Sequence, residues 1–80
     1  MDEIKEQVVT LLTEALQIGP EEVTEGLTFG DVPQWDSLGH MMVMAALEEK
    51  YGAEISTETI AELVNYKAIY SYIEKQSNGL

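Results

Sequence analysis

The sequence predicts an all-α fold: a small four-helix bundle, three main helices plus one short helix, with a long loop between the first and second. Three observations predict it. Apolar residues recur at every third or fourth position along several stretches. Residues that favour helix starts, Asp36-Ser37, Ser56-Thr57 and Asn65, stand directly before such stretches. No stretch alternates polar and apolar residues long enough to argue for a sheet. Eighty residues hold one small domain, spanning 1–80. A chain of this size buries only about 60% of the surface it exposes when unfolded, so its core is thin.

In the first helix, Ile4, Val8, Leu11, Leu12, Ala15 and Ile18 form one apolar stripe. Asp2, Glu3 and Glu6 lie near its start, where the helix dipole favours negative charge, and Gly19-Pro20 is expected to end it. A connection from about Gly19 to Trp35 follows. Its Gly26, Gly30 and Pro33 argue against a continuous helix. Loops of this length in compact domains are usually functional or disordered. Val23, Leu27, Phe29 and Trp35 punctuate this one, and such apolar anchors predict a loop packed onto the core. The second helix is expected from Asp36 or Ser37 to about Tyr51, with Gly52 as its stop. A short link leads to a brief helix from about Thr57 to Leu63, capped by Ser56 or Thr57. Asn65 caps the last helix, expected from Tyr66 to about Lys75 with Ile69, Tyr72 and Ile73 inward, and residues 77–80 are expected to fray.

Charge and composition bound the function. Fifteen acidic residues against four lysines give a net charge of −11. Such a surface repels nucleic acid and anionic lipid and attracts basic protein surfaces. There is no cysteine, which removes disulfides, thiolate metal sites and a cysteine nucleophile. The acidic start Met1-Asp2-Glu3 is unlike a signal peptide, and no apolar run approaches a membrane span. The expected location is the cytoplasm. Acidic clusters lack the pattern of a calcium loop, so no metal site is expected.

Trp35-Asp36-Ser37-Leu38 lies where the long loop meets the second helix. A serine in the first turn has unbonded backbone N–H groups beside it, and these together with the dipole favour an anion such as a phosphodiester. Taken alone, Asp36-Ser37 reads first as a plain helix cap, with a phosphorylated serine at the helix start as the other ordinary option. Asp36, Ser37 and His40 include the residue types of a hydrolase triad. No G-x-S-x-G turn accompanies them, nor any partner motif for an oxyanion hole, so no catalysis is expected.

With the residues around it, the segment resembles the acyl carrier protein family from Ile4 to Ile73. The family's attachment tripeptide Asp-Ser-Leu stands as Asp36-Ser37-Leu38. The helix after it ends Ala46-Leu47-Glu48-Glu49-Lys50-Tyr51-Gly52, followed by Ala53-Glu54-Ile55. The end of the first helix reads Leu16-Gln17-Ile18-Gly19-Pro20-Glu21-Glu22-Val23, and Phe29 stands for the family's loop phenylalanine. The resemblance implies a covalent 4′-phosphopantetheine arm on Ser37, donated by coenzyme A through a phosphopantetheinyl transferase with Mg²⁺. Asp36 would assist that modification. The arm would tether acyl intermediates as thioesters for acyl-loading and acyl-processing enzymes, and the chain is expected to act as a monomer.

The resemblance departs from carriers of ordinary fatty-acid synthesis at two positions. These usually have acidic residues two and five places after the serine, where Gly39 and Met42 stand here. With that departure, Trp35-Asp36-Ser37-Leu38-Gly39-His40 looks more like carriers of specialised biosynthesis, such as polyketide or aminoacyl-carrying systems, with fatty acid synthesis the other pathway the resemblance allows. A helical wheel puts Val43, Met44, Leu47 and Tyr51 on the core side, with His40 near them as a packing residue or a contact to arm or cargo. Leu38, Met41, Met42 and Ala45 fall elsewhere, together with Glu49. With Glu48 these form the candidate partner surface. Trp35 is read as a loop anchor, and Tyr66 and Tyr70, one turn apart, as packing at a core edge. The competing reading is an unmodified acidic adaptor that uses the Leu38-Met41-Met42 surface.

Overall fold

The computed structural model describes residues 2–78 and contains four α-helices: α1 (Glu3–Leu16), α2 (Ser37–Tyr51), α3 (Thr57–Glu62) and α4 (Tyr66–Asn78). A single 3-10 turn, Pro20–Glu22, interrupts the α1–α2 connection. Each helix begins on a side-chain cap that accepts the N–H three residues on. Asp2 accepts from Lys5, Asp36 from Gly39, Ser56 from Thr59 and Asn65 from Ala68, at 3.0, 2.8, 3.2 and 2.8 Å. The three caps expected from the sequence, Asp36, Ser56 and Asn65, are real, and Asp2 is a fourth, expected from the sequence only to favour the helix dipole.

The core lies between α1, α2 and α4. Val8, Leu11 and Leu12 meet Val43, Met44 and Leu47, with Ile69 and Ile73 closing the third side. Tyr72 is half-buried at the edge of this cluster. α3 contributes no buried residue of its own; Ala53 before it and Leu63 after it are the buried points on either side. Lys50 of α2 reaches Glu14 of α1 at 2.9 Å. No helix among the described residues is long and apolar enough to cross a membrane.

The long connection is held against the bundle at several points along its path. Val23, Leu27 and Trp35 are buried. Two backbone bonds join it to the start of α4: Phe29 N–H donates to Val64 O at 2.8 Å, and Tyr66 N–H to Leu27 O at 2.9 Å. Burying the loop carbonyls and amides is tolerable because they are paired.

Three expectations need correction. α1 stops at Leu16, ahead of Gly19-Pro20, on Gln17 in the left-handed conformation (φ 58°). The turn brings Ile18 into the core, and the burial of Ile18 outweighs the usual preference for glycine or asparagine at such a stop. Phe29 is no core anchor: it is 40% exposed and stands at the rim, edge-on to His40. α4 continues past Lys75, so Ser77 and Asn78 are helical where fraying was expected; residues 79 and 80 lie outside the described residues.

Candidate functional site

Ser37 is the first residue of α2 and is exposed. Its neighbour Asp36 does the capping, because the Asp36 carboxylate takes the Gly39 N–H at 2.8 Å. The serine hydroxyl is thus not needed for the helix start, and no hydrogen bond to it is formed among the described residues. The N–H groups of Ser37 and Leu38 have no carbonyl one turn back to receive them. A phosphodiester on Ser37 would meet these donors and the positive end of the α2 dipole. The residues present therefore fit a phosphate-linked arm: an open hydroxyl, unused amides and no competing acid in the first turn of the helix itself.

Beside Ser37 lies an apolar cleft of about 340 Å³, lined by Phe29, Ser37, His40, Met41, Ile60 and Val64. Ile60 and Val64 had no signal in the sequence that tied them to Ser37. They arrive there because α3 folds back across α2. His40 forms one wall and is only 4% exposed. Its ring accepts the Trp35 indole N–H on Nδ1 at 3.1 Å, and its Nε2 lies 2.7 Å from the Ile60 carbonyl. Phe29 packs edge-on at 5.6 Å between ring centroids. The packing reading of His40 is therefore what the geometry shows. Trp35, fully buried, is the loop anchor expected.

Along α2 the wheel is reproduced. Val43, Met44 and Leu47 are fully buried and Tyr51 is half-buried, its hydroxyl donating to Gln7 of α1 at 2.7 Å. On the other side Leu38 is 74% exposed, Met42 53% and Met41 41%. Ala45, Glu48 and Glu49 are also exposed, so all six candidate partner residues lie on the accessible surface.

Gly39 has a steric cause that the sequence did not reveal. A Cβ at this position would collide with the Gln34 carbonyl and press on the Leu16 side chain at 3.1 Å. With the loop on this path, an acidic residue there is excluded by space before charge is considered.

At the start of α1, the Asp2 carboxylate receives the Tyr70 hydroxyl of α4 at 3.0 Å, and Tyr70 stacks on buried Tyr66 at 6.2 Å. The Lys5 amide, with help from Tyr70, holds the Asp2 carboxyl below its ordinary range. The hydrogen bond to Asp2, with burial, raises the Tyr70 phenol. This is the core-edge packing expected of the tyrosine pair.

Known proteins resemble this chain over nearly its whole length. The family description "Phosphopantetheine attachment site" matches residues 6–73. An acyl carrier protein of Rhodopseudomonas palustris (strain BisB18) is 31% identical over 79 residues, covering 99% of this chain and 100% of that protein. One from Wolinella succinogenes is 38% identical over 73 residues, covering 91% of each. Another from Zymomonas mobilis is 29% identical over 75 residues, covering 94% of this chain and 96% of that protein. An attachment-family match across most of the bundle, and relatives aligned nearly end to end, place this chain in the acyl carrier protein family, whose members are non-catalytic carriers on phosphopantetheine.

Proposed function

We propose that Ser37 is the attachment point of the 4′-phosphopantetheine arm and that the exposed side of α2 receives the enzymes that use it. One observation carries the first half: Ser37 presents an open hydroxyl at the start of α2 while Asp36 takes over the cap. In the transfer, the Ser37 oxygen forms a bond to the pantetheine-bearing phosphorus of the coenzyme A pyrophosphate. The bond from that phosphorus to the nucleotide portion breaks, and the serine proton leaves with the transferase's base. When attached, the arm supplies a terminal thiol that holds an acyl group as a thioester. Asp36 fixes the first turn and adds a carboxylate next to the reacting hydroxyl, where it would help to hold a divalent cation brought by the transferase.

Leu38, Met41, Met42 and Ala45 form the apolar part of the docking side, with Glu48 and Glu49 toward its end. Partners of matching chemistry have an apolar hollow with basic residues at one margin. Methionine adapts to such hollows because its side chain is flexible and polarisable. Met42 in place of the usual acid supports service in a specialised pathway, such as polyketide or aminoacyl-carrying systems. The adaptor reading uses the same apolar side without an arm, and one experiment separates the two. Wild type and Ser37→Ala are treated with coenzyme A and several broad-specificity transferases, and intact mass is measured. The proposal expects one arm on the wild type and none on the variant. An arm on Ser37→Ala, or none on folded wild type with every transferase, overturns it.

A further inference from the structure

A second hollow, of about 400 Å³, lies where the start of α1, the long loop and the first turns of α4 meet. Asp2, Glu25, Tyr66, Lys67, Tyr70 and Ser71 line it, and it shares no residue with the cleft beside Ser37. Asp2, Glu25, Lys67 and Ser71 are exposed, Tyr70 is half-buried, and Tyr66 is only 4% exposed. Asp2 is already engaged by the Lys5 amide and the Tyr70 hydroxyl. The Tyr66 hydroxyl makes no hydrogen bond among the described residues. No sealed side-chain nitrogen or oxygen there lacks a partner, so this oxygen opens into the hollow. That is unusual, because a buried tyrosine normally finds a partner for its hydroxyl.

The chemistry of the wall selects the ligand. Burial, then the charges of Glu25 and Asp2, raise the Tyr66 phenol, so both carboxylates act on that oxygen. Carboxylates only accept hydrogen bonds and a phenol oxygen accepts as well as donates, so a fitting ligand is a donor. Lys67 is the one full positive charge on the wall. The first turns of α1 and α4 add partial positive charge, which their caps Asp2 and Asn65 meet. Against these stand the full charges of Asp2 and Glu25, on a chain of net charge −11. Neither Glu25 nor Lys67 forms an ion pair among the described residues. A metal ion fits poorly, because no group of three His, Cys, Asp or Glu suited to one is formed among the described residues. A guanidinium fits well: its planar fork donates to several acceptors at once and it packs on aromatic rings. The Tyr66 and Tyr70 rings offer such a surface, stacked within 26° of parallel.

We propose that this hollow receives a guanidinium group, presented as an arginine side chain by a partner protein. The cation donates to Asp2, Glu25 and the Tyr66 oxygen and lies against the tyrosine pair. The exposed rim makes the hollow accessible to a side chain from outside, and the acidic surface draws basic partners toward it. The contact uses neither Ser37 nor the exposed side of α2. It therefore does not rest on Ser37 being the arm site, and it is tested on the unmodified chain.

The test is an NMR titration of the unmodified protein, at constant ionic strength, with a capped Gly-Arg-Gly peptide. The same peptide with lysine for arginine, and free ethylguanidinium, are the comparison arms. The expected result is saturable binding of the arginine peptide, with shifts centred on Asp2, Glu25, Tyr66, Tyr70 and Ser71. Arginine methylene protons should show contacts to the tyrosine rings, and the lysine peptide should bind more weakly. Tyr66→Phe removes only the hydroxyl and should weaken binding about fivefold; Glu25→Gln should weaken it about tenfold or more. Both variants should melt like the wild type, and Lys67→Ala should bind more tightly. Shifts that never saturate or that spread over the whole acidic surface overturn the proposal. So do equal binding of the lysine peptide and unchanged affinity in Tyr66→Phe and Glu25→Gln. Binding of ethylguanidinium with the peptide shut out overturns the arginine side chain as the source.

Discussion

α3 and α4 follow each other in the chain, both begin on a side-chain cap, and they are held in opposite ways. α4 inserts Ile69 and Ile73 between the other helices, with Tyr66 buried at its start. α3 buries no residue fully: its half-buried Ile60 packs against the core, and the helix is further retained by buried residues on either side and a hydrogen bond between His40 and the Ile60 carbonyl. Apolar burial grows with area and is insensitive to direction, whereas a single hydrogen bond is worth only about 0.5–1.5 kcal/mol net. The side of the molecule that bears Ser37 is accordingly the side with less to lose on opening. Local openings of low free energy are typical of segments that must adapt to ligands.

The comparison breaks most visibly under truncation. Ile69→Ala removes a fully buried side chain of α4 and is expected to cost about 2–5 kcal/mol. The equivalent Ile60→Ala in α3 removes a half-buried one and should cost under about 1.5 kcal/mol. Urea unfolding of both variants measures the difference, and equal losses would mean that α3 is as much part of the core as α4.

Gly39→Ala asks whether the Ser37 end is held by close approach of loop and helix. Alanine in a helix gains about 1 kcal/mol over glycine. Against this, the new methyl meets the Gln34 carbonyl, which belongs to the backbone and cannot rotate away. Overpacking of that kind costs about 1–3 kcal/mol, so the net effect should be a loss. A more stable Gly39→Ala protein would show that the loop gives way easily, and that the missing acid at this position has no steric cause.

The smallest stability effect is expected on the outer side of α2. Met42→Glu changes a side chain that is 53% exposed, and melting should shift by the equivalent of less than about 0.5 kcal/mol. Turnover with its own partner enzymes should fall, and turnover with fatty-acid synthase enzymes should rise, because a carboxylate replaces an apolar contact. Unfolding of this variant would place Met42 in the core; unchanged turnover with both sets of enzymes would remove it from the docking surface.

Much of this was legible in the residues themselves. Caps act within one turn of the chain, so Asp36, Ser56 and Asn65 announced helix starts without any tertiary information. The 3.6-residue period likewise separated Val43, Met44 and Leu47 from Leu38, Met41 and Met42, because a helix fixes which side chains share a side before it packs. Asp36-Ser37-Leu38 and its surroundings pointed to the attachment family for the same reason: the signal is local.

What only the tertiary structure decided depends on residues far apart in sequence. Ile60 and Val64 border the cleft because α3 crosses α2, and His40 finds its acceptor twenty residues away. The need for glycine at position 39 comes from the path of the loop, which its two bonds to the start of α4 help to fix. α1 ended before its expected glycine because burying Ile18 was worth more than the local cost of a left-handed Gln17. Local rules describe one turn of chain at a time; contacts across the bundle add their free energy only once the segments have met, and there they override the local preference.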